Sequence, residues 1–124
     1  MTDWKSDETR RIGAADEVQI TTVRSDGTPR RYVPIWIVQV GNDLYVRSWR
    51  GREGTWFRHA RRELEGRIRV GGDERDVRFE VPDDSVHPDI DDAYRTKYGR
   101  YGKAYVGPMT GPDATAATLR LLPR

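Results

Sequence analysis

A chain of 124 residues, 34% of them charged and 35% hydrophobic, has room for one compact domain with one core. It contains no cysteine, which excludes disulfides and thiolate metal sites, and no apolar run approaches the ~20 residues of a membrane-spanning helix. The N-terminal MTDWKSDETRRIG carries charge where a signal peptide needs an apolar stretch, so the expectation is a single cytoplasmic domain over residues 1–124 with no membrane partner.

The formal net charge is only +2, but it is unevenly placed. Arg47 to Arg69 hold eight arginines against Glu53, Glu63 and Glu65, whereas residues 80–92 hold six acids and no Lys or Arg. A local anion site fits this pattern, and a uniformly basic nucleic-acid face does not.

Val18 to Arg24 is rich in β-branched residues and runs into Ser25-Asp26-Gly27-Thr28-Pro29, a hairpin signal. The next strand, Arg31 to Val40, is apolar on both alternating sets, Tyr32/Trp36/Val38/Val40 and Val33/Ile35/Ile37, so both of its faces need covering. After Gly41-Asn42-Asp43, Leu44 to Trp49 completes a three-strand meander. Thr55 is the expected N-cap of a helix reaching about Glu63. Arg67–Val70 and Asp76–Val81 flank Gly71-Gly72 as a second hairpin. Pro88 to Tyr98 reads as a short helix, the glycines at 99, 102, 107 and 111 as loop, and Thr115 to Leu122 as the last strand. The sum is a mainly β, α+β domain: an antiparallel six-stranded barrel with two short helices.

The stretch SWRGREGTWFRHARRE, residues 48–63, interleaves aromatic rings with arginines around two glycines. Arg47, Ser48, Gly51, Arg52 and the amides after Thr55 offer guanidinium, hydroxyl and backbone donors to a phosphate. Trp36, Trp49 and Trp56, with Tyr32 and Tyr45, offer a flat apolar wall to a ring system. Solvated arginines and core tryptophans would give the same pattern, and residue types alone leave both readings open.

The order of elements in QITTVRSDGTPRRYVPIWIVQVGNDLYVRSWRGREGTWFRHARRE resembles the pyridoxamine 5'-phosphate oxidase-like, flavin-binding split-barrel superfamily, over roughly residues 9–81. The resemblance implies a homodimeric split barrel. It places Arg31, Val33, Pro34 and Ile35 beside the cofactor ring, and Val46, Arg47, Ser48, Gly51 and Arg52 towards its phosphate. Thr55, Trp56 and His59 complete the implied cofactor site, in a helix similar to that of the deazaflavin-dependent nitroreductase branch. That branch has asparagine and leucine where this chain has His59 and Ala60, and the oxidases' phosphate-binding lysines are missing, so FMN and an 8-hydroxy-5-deazaflavin coenzyme both stay open. The chain also resembles an uncharacterised family within the superfamily.

Other chemistries have less support. Two histidines and no cysteine leave a transition-metal site dependent on carboxylates from distant loops, and a single histidine as haem ligand ranks below a flavin. Asp83, Asp84, Asp89, Asp91 and Asp92 read as helix-start residues around Pro88 and not as a cation site. Tyr94 and Tyr98, four apart, read as helix anchors, whereas Trp36, Tyr101 and Tyr105 are the expected substrate contacts. The functional expectation is an oxidoreductase passing hydride to or from a small organic substrate, the alternative a non-catalytic flavin or small-ligand binder. A homodimer is also expected from the residues, because the helix after Thr55 is too short to cover the second apolar face of strand 31–40.

Overall fold

The computed structural model describes residues 4–124. In chain order the elements are α1 (Ser6–Gly13), β1 (Val18–Thr22), β2 (Val33–Ile35), β3 (Ile37–Val40), β4 (Asp43–Arg47), α2 (Thr55–Glu63), β5 (Glu65–Val70), β6 (Asp73–Glu80), α3 (His87–Tyr98), α4 (Lys103–Met109), α5 (Pro112–Ala116) and β7 (Thr118–Pro123). The seven strands form one sheet in the order β2-β1-β5-β6-β7-β4-β3, with every pairing antiparallel.

The two edges of that order, β2 and β3, are consecutive in the chain, separated only by Trp36. The first half of the expected strand pairs with β1 (Val18 opposite Ile35) and the second half with β4 (Ile37 opposite Val46). The sheet therefore curls into a nearly closed barrel, and the six expected strands become seven because this one breaks. Two residues account for the break. Pro34 has no N–H and suits an edge, and the Ile37 N–H donates to the Tyr98 hydroxyl of α3 at 3.1 Å, a side chain and not a strand.

Alternation then sorts the side chains. Ile35, Ile37, Leu44 and Val46 point into the barrel with Val18, Ile20, Ile68, Val77, Phe79, Leu119 and Leu121, and Phe57 and Ala60 of α2 cap this core. Val38 and Tyr45 point outward and pack with Ile90, Tyr94 and Tyr98 of α3 and Val106 and Met109 of α4, with Trp36 and Val40 against them. Ile35, Ile37 and Val38 are thus covered within one chain, and Tyr32, Val33, Trp36 and Val40 stay partly exposed, so much of the covering that the sequence assigned to a dimer is internal. Tyr94 and Tyr98 anchor α3, as their spacing implies.

Three helices were not expected. α1 is a polar helix that buries Thr9, Ile12 and Gly13. Its C-terminal end is held by Lys97, whose ammonium donates to the carbonyls of Gly13, Ala15 and Ile37 at 2.6–2.7 Å; burial draws that ammonium down to about 8. α4, which contains Pro108, occupies the glycine-punctuated stretch read as loop, and the five-residue α5 that follows takes Thr115 and Ala116 from the expected last strand, which begins at Thr118. Thr55 is the first residue of α2, whose N-cap is Gly54. In the β5–β6 turn, Gly71 and Gly72 both have positive φ, 57° and 98°, the conformation a two-residue hairpin of this twist requires.

Candidate functional site

A cavity of about 990 Å³ opens between the broken strand, the end of β4, the start of α2 and the outer face of α4. Its apolar wall is Val33, Pro34, Ile35 and Trp36 on one side, Trp56 from α2, and Ala104, Pro108 and Met109 from α4. The wall is braced from behind: Trp36 stacks on Tyr98 with ring centroids 4.0 Å apart and planes 1° apart, and Tyr101 lies 5.6 Å from Trp36. Thr21, Thr22 and Ser48 contribute hydroxyls, and Arg24, Arg30, Arg31 and Arg50 contribute guanidinium groups against the single lining carboxylate, Glu17.

Among the residues expected at the site, Arg31, Val33, Pro34, Ile35, Trp36, Arg47, Ser48, Thr55, Trp56, His59 and Tyr105 line this cavity. Four others do not. Val46 points into the barrel and is fully buried there. Gly51 (φ 67°) is buried against α5, where a Cβ would meet the Asp113 backbone oxygen at 3.2 Å. Arg52 is exposed on the 3-10 turn Gly51–Glu53. Tyr101 supports Trp36 from outside the cavity.

Arg47 reaches the cavity, but its guanidinium serves the protein. It donates to Asp91 Oδ1 (2.5 Å), the Met109 carbonyl (2.9 Å) and Thr118 Oγ1 (2.9 Å), faces His87 Nδ1 (3.2 Å), and its side chain is 0% exposed. A fully buried charge needs such partners. The expected phosphate ligand is instead a clamp joining β4, α3, α4 and β7. Arg30 is likewise held, by Glu63 at 2.6 Å and by Thr22 Oγ1 at 3.0 Å, and this hydrogen bond keeps the Glu63 carboxyl below its ordinary value. Arg31 and Arg50 have no carboxylate partner among the described residues; Arg50 lies 5.2 Å over the exposed ring of Trp49.

The start of α2 faces the same space. Its N-cap side chain is a hydrogen, it has no side-chain cap and no acid in its first turn, so its first amides lack intrahelical acceptors. Any Cβ at Gly54 would collide with the Ser48 hydroxyl, so glycine lets Ser48 and the helix end share one corner. His59, on the next turn of α2, is held below its ordinary value by burial and then by Arg30 and Arg62. Arg30 and Arg50 flank residues that sequence reading did name, Arg31 and Gly51. Of the α4 residues that line the cavity, Tyr105 was named from the sequence, whereas Ala104, Pro108 and Met109 carried no signal, because their segment read as loop. Among the described residues, no group of three or more His, Cys, Asp or Glu could hold a metal ion, and no helix is long and apolar enough to cross a membrane.

No curated protein matches the chain. Solved structures do. A candidate pyridoxamine 5'-phosphate oxidase from Listeria innocua is similar at 14% identity, covering 95% of this chain and 90% of its own, with a TM-score of 0.59. A candidate 5-nitroimidazole antibiotic resistance protein from Bacteroides thetaiotaomicron is similar at 15% identity, covering 99% and 81%, with a TM-score of 0.60. An FAD and heme binding protein from Mycobacterium smegmatis is similar at 18% identity, covering 97% and 65%, with a TM-score of 0.57. At such identities the likeness speaks for the fold alone, a split barrel of the kind that residues 9–81 suggested. The family model described as "Uncharacterized protein conserved in bacteria (DUF2255)" matches residues 8–121, and the chain belongs to that family.

Proposed function

We propose that the chain is a cytoplasmic, flavin-type oxidoreductase that acts on a small organic substrate, with FMN or an 8-hydroxy-5-deazaflavin coenzyme in the cavity. One observation carries this reading: an apolar aromatic wall and a cationic mouth meet at an uncapped helix start in a single cavity of about 990 Å³, the combination that a ring bearing a phosphate needs. Flavin binding by the FAD and heme binding protein of the same fold supports it. Trp36, Val33 and Trp56 would flank the ring, and Arg31, Arg50, Ser48 and the α2 amides would take the phosphate. The cofactor supplies hydride transfer when bound. The side chains bind, orient and exclude water; of the three expected substrate contacts, Trp36 would flank the ring, Tyr101 lies outside the cavity, and Tyr105 is left to contact substrate directly.

A second copy completes the site in this reading. Trp49 and Tyr105, 64% and 65% exposed, stand at the cavity mouth, and large apolar rings exposed beside a site mark a surface that a partner covers. Light scattering tests it: a mass near one 14.3 kDa chain with cofactor still bound excludes a shared site.

Fluorescence titration with FMN and with the deazaflavin tests the cofactor. Micromolar binding of one of them is expected. Arg31→Ala and Arg50→Ala should each weaken it by roughly 1.5–3 kcal/mol, about 10- to 150-fold, while Arg52→Ala changes nothing. Absence of binding by both compounds at micromolar concentration overturns the reading.

A further inference from the structure

Both histidines of the chain face an arginine through the same ring atom. Nδ1 of His59 lies 3.0 Å from an Arg62 terminal nitrogen one helical turn along α2, and Nδ1 of His87 lies 3.2 Å from an Arg47 terminal nitrogen. A guanidinium has donors and no acceptor, so each Nδ1 must be the accepting lone pair. The single proton of the neutral ring then sits on Nε2. Moving it to Nδ1 would set N–H against N–H.

His87 is far from free: its Nδ1 belongs to the buried clamp around Arg47, and its Nε2 is 3.9 Å from Asp84. His59 is different, because it lines the cavity and no described residue accepts from its Nε2. The charged groups acting on it are Arg30, Arg58 and Arg62, opposed only by Glu63, so its environment disfavours a second proton. The ring stays a neutral donor.

We infer that His59 is a recognition residue: Arg62 fixes its tautomer, and its Nε2–H is offered to an acceptor oxygen of the ligand in the cavity. Nε2 therefore presents no lone pair to a metal, and the residues present do not fit a haem iron coordinated by either histidine. The tautomer stands on the Arg62 contact alone; the ligand contact rests on the proposed flavin-type reading.

Long-range proton–nitrogen NMR on protein carrying 15N-histidine decides the first part without any ligand. At neutral pH the His59 ring should show a pyridine-like Nδ1 and a pyrrole-like Nε2, and Arg62→Met should let it relax to a tautomer mixture. An Nδ1–H form or an imidazolium at His59 in the wild-type protein overturns the proposal. Hemin titration gives an independent reading: a histidine-ligated haem spectrum that disappears in His59→Leu also overturns it. In FMN titration, His59→Gln, which keeps an N–H donor, should bind within about threefold of wild type, and His59→Leu about tenfold more weakly. Wild-type affinity in His59→Leu refutes the ligand contact. Failure of both FMN and the deazaflavin to bind the wild-type protein counts against the flavin reading, and the tautomer and hemin results still decide the assignment of His59.

Discussion

Removing the Tyr98 hydroxyl probes the point on which barrel and cavity both depend. In the folded chain this oxygen accepts from the Ile37 N–H at 3.1 Å and donates to the Asp16 carbonyl at 2.7 Å, fixing the backbone where the chain leaves one sheet edge for the other. Tyr98→Phe keeps the ring and its stack on Trp36, 4.0 Å away, so no cavity forms. Asp16 is exposed and water can replace its lost donor, whereas Ile37 is 0% exposed and its N–H is left unpaired. An unsatisfied buried donor costs about 1–3 kcal/mol. For 124 residues the unfolding entropy is roughly 0.26 kcal/mol/K, so a loss of about 2 kcal/mol lowers Tm by roughly 8 °C. Thermal unfolding followed by circular dichroism, with urea titration for the slope, measures this. The burial that pushes the phenol up to about 12 means that the deficit should be constant across neutral pH. A Tyr98→Phe protein within about 0.5 kcal/mol of wild type would refute the reasoning and leave strand pairing as sufficient to hold the kink.

Gly66→Ala places a Cβ against the Thr21 carbonyl and 2.8 Å from the Phe79 ring; overpacking of this kind should cost about 2–3 kcal/mol in urea unfolding, while Gly71→Ala, with open space around it, should show only the milder strain of its φ of 57°. Equal losses at the two positions would show that the close β1–β5 approach is not what selects glycine at 66. Acid unfolding reports on Glu63: its carboxyl is held below the ordinary 4.5 by Arg30, so the unfolded chain takes up the proton first. This contribution is complete above 4.5 and disappears as pH falls through the folded value. Glu63→Gln should lower stability at neutral pH and flatten the acid limb of the profile, and an unchanged acid limb would contradict the Arg30 pairing.

Local pattern was enough for most of the barrel. The alternation of Ile35, Ile37, Leu44 and Val46, and glycines at 41, 71 and 72 able to take positive φ, define strands and turns through interactions within a few residues. The cavity was legible to the same extent: Arg31 to Trp36 and Ser48 to His59 are two contiguous segments, and a strand and a helix start each carry their neighbours to one place. What sequence could not rank was which distant groups meet. Arg47 looked like a phosphate ligand because its type and position suit one, but a guanidinium is free for a ligand only if no carboxylate reaches it, and Asp91, 44 residues on, does. The strand breaks at Trp36 because a hydroxyl 61 residues later takes the Ile37 N–H. α1 and α4 are short and polar or glycine-punctuated, with too little intrinsic helical preference to be read from their own residues. Packing against β3 and α3 stabilises them, so the second wall of the cavity and the cover over the outer face of β3 and β4 exist only once the tertiary structure has formed.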